Sequence, residues 1–590
     1  MPSRRLKAIR RSLVPVLLGT LLAAGARAAE GPALPCQNCH RGVSLGSHVH
    51  ADFPCVSCHS NVLSFPHTPR PLETLAGNLL CGQCHPKQVQ VLEGSVHGDM
   101  LDCQSCHGEP HARSSGPGAG LAGAADVPVV CGACHEEVLQ IWVGNSVHGR
   151  AWRNGSPGPL CSTCHDYHGV AREPSIRQRL RCPETCGGCH GSRFATYRDS
   201  FHGHVTELRF LTAAVCSDCH TPHRILPAGD PESSVSPRHL AETCGQCHSH
   251  LNPAFLSFNP HVDPTAAGGS LPVHIVWWLM TGLLVAVFGL FGVHDLLWLQ
   301  RTLVGVWRGE IRRAPRDGGP HVQRFSRLEV GLHLTVVVSF LTLAATGVPL
   351  RFHYTGWAQA LAELMGGVES TRLIHRGAAV VTFGYALVHL VQVAHRVLWR
   401  GDRGVLHGWR TLIPHRRDLK DLRRHLRYFL YLGPPPRFDR WTYWEKFDYL
   451  AVFWGVAIIG LSGLVLWFPA AFTQVLPGWS LNAAYVVHSD EALLAVGFIF
   501  IFHFFHTHLR PYSFPMDPVI FTGSMPLDRL REERPTEYRR LVRRGLLERA
   551  LRAPPSRSLR RFAGIFGATA TAIGLALIAL ILWAALTAAH

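Results

Sequence analysis

Cys81-Gly82-Gln83-Cys84-His85, followed a short interval later by Gly94-Ser95-Val96-His97-Gly98, is the stretch on which the reading of this chain turns. Its first five residues spell Cys-x-x-Cys-His, and the chain spells that nine times. The cysteine pairs are Cys36/Cys39, Cys55/Cys58, Cys81/Cys84, Cys103/Cys106, Cys131/Cys134, Cys161/Cys164, Cys186/Cys189, Cys216/Cys219 and Cys244/Cys247. The histidines that follow them are His40, His59, His85, His107, His135, His165, His190, His220 and His248. Two thiols at this spacing add to the vinyl groups of a haem, and the adjacent imidazole becomes the proximal iron ligand. A zinc ribbon needs paired CxxC units but no histidine after each. By composition a histidine would follow about one time in sixteen, so nine in succession exclude chance. The motifs take 18 of the 19 cysteines. Cys182 alone is left over and reads as an inert thiol.

The second half of the opening stretch recurs as well. Ser-x-His-Gly follows at His97, His148 and His202, each after a Cys-Gly-x-Cys-His. Alternate motifs instead carry a second histidine a few residues on: His67, His111, His168 and His223. His50 and His261 complete the degenerate first and last half-units. These nine histidines (His50, His67, His97, His111, His148, His168, His202, His223 and His261) are the expected distal ligands, one for each iron. A distal histidine need not serve the haem of its own motif, so the pairings stay open. Met100 is the only methionine of this region beyond the leader. Bis-histidine ligation and low potentials are therefore expected, with no vacant iron face for a reductase. Residues 29–265 hold about 26 residues per haem, too few for an ordinary apolar core. The macrocycles must supply the buried surface.

The 590 residues divide sharply: every cysteine precedes residue 248, and the long apolar runs follow residue 270. Arg4 to Arg11, the apolar Leu13–Ala24 run and Ala26-Arg27-Ala28 form a secretory signal over 1–28. Six later segments are long and apolar enough to span a bilayer: about 273–299, 328–350, 374–398, 449–468, 487–509 and 562–586. The connectors holding Arg301 to Arg327, Arg416 to Arg427 and Arg529 to Arg544 are basic, whereas 470–486 has neither Lys nor Arg. The positive-inside rule makes the basic connectors cytoplasmic and sets the haem region in the periplasm, as the signal peptide requires. The net charge of +17 is thus mostly topology and no sign of a nucleic-acid partner.

Ionisable residues at membrane depth are functional by default. His375 and His488 fall at one depth near the outer face, and His333 and His503 at another near the inner. Each pair is the expected axial set of a b haem. His389, fourteen residues after His375 and on a similar helical face, is the alternative to His503. His395, His506 and His508 are read as solvated or lipid-facing. The expected fold is an N-terminal multihaem c domain with little regular secondary structure, only short helices and loops. An all-α membrane domain of six transmembrane helices with a dihaem four-helix core follows. The boundaries are 29–265 for the c domain, 266–300 for the first span, 301–327 for a cytoplasmic connector, 328–510 for the dihaem core, 511–561 for a basic cytoplasmic connector and 562–590 for the last span.

His333-Leu334-Thr335 through Thr346-Gly347-Val348-Pro349-Leu350, Ile374-His375-Arg376-Gly377, Gly460-Leu461-Ser462-Gly463 and the His488 to His503 helix resemble the dihaem cytochrome b subunits of formate dehydrogenase and nickel–iron hydrogenase. One departure is the last ligand pair, spaced fifteen here and fourteen in that family. A nine-haem c domain fused ahead of such a b domain is similar to the CbcL-type inner-membrane multihaem cytochromes of metal-reducing bacteria. The resemblance implies a menaquinol oxidase with nine c haems and two b haems. It would pass electrons from menaquinol to periplasmic c-type cytochromes and extracellular acceptors. Asp490 and Glu491, beside His488, are the candidate proton acceptors of an outer quinol site, and Glu445 and Asp448 their inner counterparts. Two other readings stay open: a quinone reductase fed from the periplasm, and a non-catalytic multihaem relay. The sequence leaves open the oligomeric state and the roles of Cys182, His274 and His389.

Overall fold

The computed structural model describes Cys36, His40, His50 and residues 53–59, 77–108, 124–171, 175–311, 319–510, 513–514 and 516–587. Cys39, His67, His111 and the signal segment lie outside the described residues. The chain forms two compact units, one of 1–144 with 148–173, the other of 145–147 with 174–590.

The first unit is built from short helices strung between motifs, among them Gly77–Gly82, Pro86–Glu93, Cys103–His107, Val127–Gly132 and Cys161–Cys164. The repeated sequence has a local cause. In Cys-Gly-x-Cys-His the glycine sits under an apolar side chain of the helix that follows: a Cβ at Gly132 would lie 2.2 Å from Leu139, and one at Gly187 in the second unit 2.7 Å from Phe194. In Ser-x-His-Gly the glycine meets backbone. A Cβ at Gly98, Gly149 or Gly203 would fall 2.5, 2.0 or 2.2 Å from the carbonyl of Leu92, Trp142 or Tyr197. The serine starts the turn: Ser200 accepts from the Gly203 N–H at 3.2 Å and donates to the Tyr197 carbonyl at 2.7 Å. Serine and glycine together fold the chain back on its own helix, with the half-buried histidine held between them.

The second unit carries the last three motifs and six helices long and apolar enough to cross a membrane, with mean hydropathy between 1.6 and 2.4. They are α1 (Leu271–Trp307), α2 (Arg327–Arg351), α3 (Gly367–Trp399), α5 (Tyr443–Trp467), α6 (Trp479–His508) and α7 (Arg557–Thr587). Between α3 and α5 lies α4 (Arg416–Phe429), a charged amphipathic helix. The apolar runs fix where the spans lie, but the helices overrun them. Capping sets the true starts: Ser326 with Glu329 and Thr442 with Glu445 form reciprocal capping boxes ahead of α2 and α5, each worth about 1 kcal/mol. Helices α2 and α3 pack as one pair and α5 and α6 as another, with α1 against α6.

The two ends of the bundle are chemically distinct. At one end three short strands, β1 (His321–Gln323), β2 (Ser524–Pro526) and β3 (Leu551–Arg552), form an antiparallel sheet of order β2-β1-β3. Buried ion pairs tie the basic connectors there: Glu537 accepts from Arg324 and Arg440, Arg534 pairs with Glu445, and Arg529 with Asp517. At the other end the helices meet the last motif segments. Asn252 donates to the Ala470 carbonyl at 3.0 Å, Asn482 to the Asn259 carbonyl at 3.1 Å, and Gly478 packs under residues 254–258. All the arginine-rich connectors thus gather at one end and the CxxCH segments of this unit at the other.

Candidate functional site

Two imidazoles on one metal ion hold their ring centres about 6 Å apart, from two metal–nitrogen bonds of about 2 Å and the ring half-widths. Histidine pairs at this spacing occur on both sides of position 270. His50 and His85 lie 6.1 Å apart, His97 and His135 6.1 Å, and His107 and His168 6.2 Å in the first unit. His202 and His248 are 6.1 Å apart in the second. Each joins a proximal histidine of a CxxCH to one nominated as distal. His50, His97 and His202 each lie against the CxxCH histidine of the motif two places downstream of their own, whereas His168 lies against that of the motif two places back. This offset is what the sequence left open.

Consecutive motifs are also neighbours in space. The thiols of Cys81 and Cys103 touch, as do those of Cys131 and Cys161, and Cys106 lies near Cys131 and Cys134. In the second unit Cys186 meets Cys216, and Cys219 lies near Cys244 and Cys247. From the third motif to the sixth, and from the seventh to the ninth, chain order is thus spatial order. Cys182 joins Cys186 and Cys216 in one thiol cluster and approaches the Ser217 hydroxyl at 3.6 Å. Met100 is 73% exposed, in the turn that follows His97. His261 donates from Nδ1 to Thr196 at 3.0 Å, with His220 within electrostatic reach.

The polypeptide leaves many of the motif cysteines open, as expected where it does not itself supply the buried surface. Cys58 and Cys189 are exposed, as are Cys55, Cys84, Cys131, Cys134, Cys164 and Cys247. The cause is local. Cys58 and Cys189 each close a tight turn on the first cysteine of their motif, the N–H donating to the Cys55 or Cys186 carbonyl at 3.2 Å. With about 26 residues per motif, the chain has no further segment to lay over that turn. Exposure suits the expected chemistry, since a thiol must be reachable to add to a vinyl group.

In the membrane bundle His375 on α3 and His488 on α6 have ring centres 6.3 Å apart. Their tautomers follow from their partners. A carbonyl only accepts, so the 3.0 Å contact from His488 Nδ1 to the Ile459 carbonyl places a proton on Nδ1. Thr346 donates its own hydroxyl proton to the Thr342 carbonyl at 2.7 Å, so its oxygen accepts from His375 Nδ1 at 2.9 Å. Both Nε2 lone pairs are left free, the arrangement typical of metal-ligating histidines. Glycine makes room for each ring: a Cβ at Gly347 would lie 3.4 Å from His375, and one at Gly463 3.0 Å from His488. These are the glycines of Thr346-Gly347 and Ser462-Gly463.

The other level holds His333 on α2 and His503 on α6, within electrostatic reach of each other. His503 Nδ1 donates to Asp448 at 3.1 Å, whereas His333 Nδ1 is buried with no partner among the described residues. Fifteen residues of α-helix would turn His503 about 60° away from His488. Residues Ile499–His503 form a π turn instead, whose wider rise-and-turn rotates each residue less and takes up the extra one. His389 is occupied elsewhere, its Nε2 bonded to the Tyr449 hydroxyl at 2.9 Å. His274 has both nitrogens engaged, by the Pro264 carbonyl and Trp278.

Asp490 and Glu491 are buried, at 7% and 3% exposure. Asp490 pairs with Arg351 at 3.3 Å, and one Glu491 oxygen has no partner among the described residues. Glu445 is spent on its capping box and Arg534.

Sequence reasoning missed two clusters. His204, not nominated as a ligand, is buried, stacks on His353 at 4.0 Å and bonds the Tyr485 hydroxyl at 2.8 Å. That separation leaves no room for a metal between the rings. His353 in turn bonds Glu207 at 2.7 Å. The second cluster corrects His506, expected to be solvated or lipid-facing. It is 2% exposed and bonds Asp295 on α1 at 3.2 Å, because α1 packs on that face of α6. His508 likewise reaches Thr571 on α7 at 3.3 Å. The signal was present in α1, where His294 and Asp295 are adjacent ionisable residues inside an apolar helix. No family model, curated protein or solved structure matches the chain.

Proposed function

We propose that this chain is a multi-pass inner-membrane quinol:cytochrome c oxidoreductase. In this reading menaquinol electrons enter two b-haem levels, held by His375 with His488 and by His333 with His503. They leave through nine c haems in the periplasm to periplasmic c-type cytochromes. The basic connectors, gathered at one end of the bundle, face the cytoplasm. Asp490 and Glu491, buried beside the outer level, are the candidate groups that take protons from the quinol.

One observation carries the reading. Tyr485 stands one helical turn before His488, and its hydroxyl bonds His204, two residues from His202. His202 in turn pairs with His248 of the last motif. A ligand of the outer b level and a ligand of the last c haem are thus joined through one hydrogen bond and two short stretches of backbone. A plain membrane anchor would need no such junction. The glycine floors, the Nδ1–H tautomers and the recurring ring separations all fit iron porphyrin.

The test is direct. Purified protein mixed with a reduced menaquinone analogue, with the b and c absorbance bands followed separately, should show b bands appearing first and c bands after. Haem content of two non-covalent and nine covalent groups is expected from a pyridine haemochrome assay. Absence of non-covalent haem, or of quinol-driven reduction, would overturn the proposal.

A further inference from the structure

The residues assigned so far leave unused a buried polar chain at the connector end of the bundle. His425 on α4 contacts the Tyr443 hydroxyl from Nδ1 at 2.9 Å. The same hydroxyl contacts His294 Nε2 at 2.5 Å. His294 Nδ1 meets Asp295 Oδ1 at 2.7 Å, and His506 Nε2 meets the same oxygen at 3.2 Å. His294, Asp295, His425 and His506 are all buried. Four separate elements contribute, so the chain is no accident of one helix. Trp298, Phe429, Phe438, Trp444 and Phe505 wall it in.

One assignment of protons gives every bond a single donor. An ionised Asp295 accepts from His294 Nδ1–H and from His506 Nε2–H. His294 Nε2 then accepts from the Tyr443 O–H, and the Tyr443 oxygen accepts from His425 Nδ1–H. Every donor on the path from α4 points toward Asp295. At its inner end two atoms have no partner among the described residues, Asp295 Oδ2 and His506 Nδ1. His506 lies one turn from His503. The other charged groups facing the chain are Arg510, which packs on Trp298 and Trp444, Arg534 on Trp444, and Asp421 one turn before His425 on α4. Burial holds His425 neutral, well below the usual histidine range. A neutral imidazole can take a proton at one nitrogen and give one up at the other.

We infer that His425, Tyr443, His294 and Asp295 form a proton path from the connector end to the inner b-haem level, with Asp295 and His506 as its terminal acceptor. The inference rests on the proposed function, which places an iron at His333 and His503. The step balances: one proton enters at His425 Nε2, matching the one electron that an iron held at His333 and His503 would take from quinol. The Nδ1 proton of His425 passes to Tyr443, the hydroxyl proton to His294, and the His294 Nδ1 proton to Asp295, which ends as the neutral acid. Only N–H and O–H bonds break and form.

The experiment is a potentiometric titration of the b-haem bands of the full-length, haem-loaded protein between pH 6 and 8. Each pH unit is a tenfold change in proton activity, about 59 mV for a one-electron couple. One b haem should follow pH with a slope approaching that value, and the other should be nearly flat. Asp295→Asn should flatten the responsive haem at unchanged haem content. His294→Gln serves the same purpose should that variant fail to accumulate. A wild-type slope in both variants, or pH-independent b haems in the wild type, would overturn the path. So would a stoichiometric zinc ion lost on Asp295→Asn, which would make the cluster a metal site. Absence of any b haem overturns the proposed function as well, so the two failures are told apart.

Discussion

The two histidine levels of the membrane bundle are built differently, and the difference bears on the potentials that irons held there would have. At the outer level both rings donate to neutral oxygens, the Ile459 carbonyl and the Thr346 hydroxyl, and each sits on a glycine. At the inner level His503 donates to a carboxylate, Asp448, while His333 has no partner on Nδ1 among the described residues. A carboxylate behind an imidazole makes it a stronger donor and favours the oxidised metal. On this reading the inner level has the lower potential of the two. Neutral support and a tight glycine floor give the outer level geometric precision instead.

The comparison can be broken in several places. The largest effect is expected from His488→Ala. It should remove one of the two non-covalent haems and leave the nine covalent ones, read by haemochrome stoichiometry. Gly463→Ala comes next. Its new methyl would stand 3.0 Å from the His488 ring, closer than such contacts tolerate, so outer haem occupancy should fall several-fold. Gly347→Ala, at 3.4 Å, should be nearly silent. Asp448→Asn sharpens the electrostatic half of the argument. Support of this kind is worth at least about tenfold, so the potential of one b haem should rise by about 59 mV in a redox titration. The smallest effect belongs to the junction with the last motifs. Burial and the neighbouring His353 and Arg351 hold His204 neutral, well below the usual histidine range. The unfolded segment binds the proton that the folded one refuses, so stability is lost as pH falls below about 6.5. Hydrogen exchange over residues 201–207 should speed up there, and His204→Phe should remove that pH dependence.

The legible part of this molecule was the part written in local pattern. Six apolar runs gave six helices, because a twenty-residue run admits few other folds in a bilayer. Their ends were displaced by capping boxes at Ser326 and Thr442, which lie outside the apolar runs. The nine-fold motif set the expected chemistry and Ser-x-His-Gly nominated a histidine, but the turn that holds it, glycine against helix backbone, depends on the folded contacts. What stayed hidden depends on contacts between distant segments. The offset of two motifs between a histidine and its partner is not encoded in spacing. Nor does the motif say which thiols other segments will cover: Cys58 and Cys189 stay exposed, whereas Cys106 and Cys219 are half-buried. His506 looked solvated or lipid-facing because its depth near the helix end says nothing of α1, which covers it. The fifteen-residue interval from His488 to His503 looked wrong for a shared face until the π turn supplied the missing rotation.

The ligand offset also governs how such a protein can be assembled. Under the proposed function, with the chain exported N-terminus first, a centre held by His85 or His135 would find its second imidazole already outside, at His50 or His97. One held by His107 must wait until His168 arrives. On that reading maturation would pass through an interval with one open iron face, during which the nascent chain would be exposed to peroxide and to stray ligands. A chain truncated between His165 and His168 would be held in that vulnerable state for good.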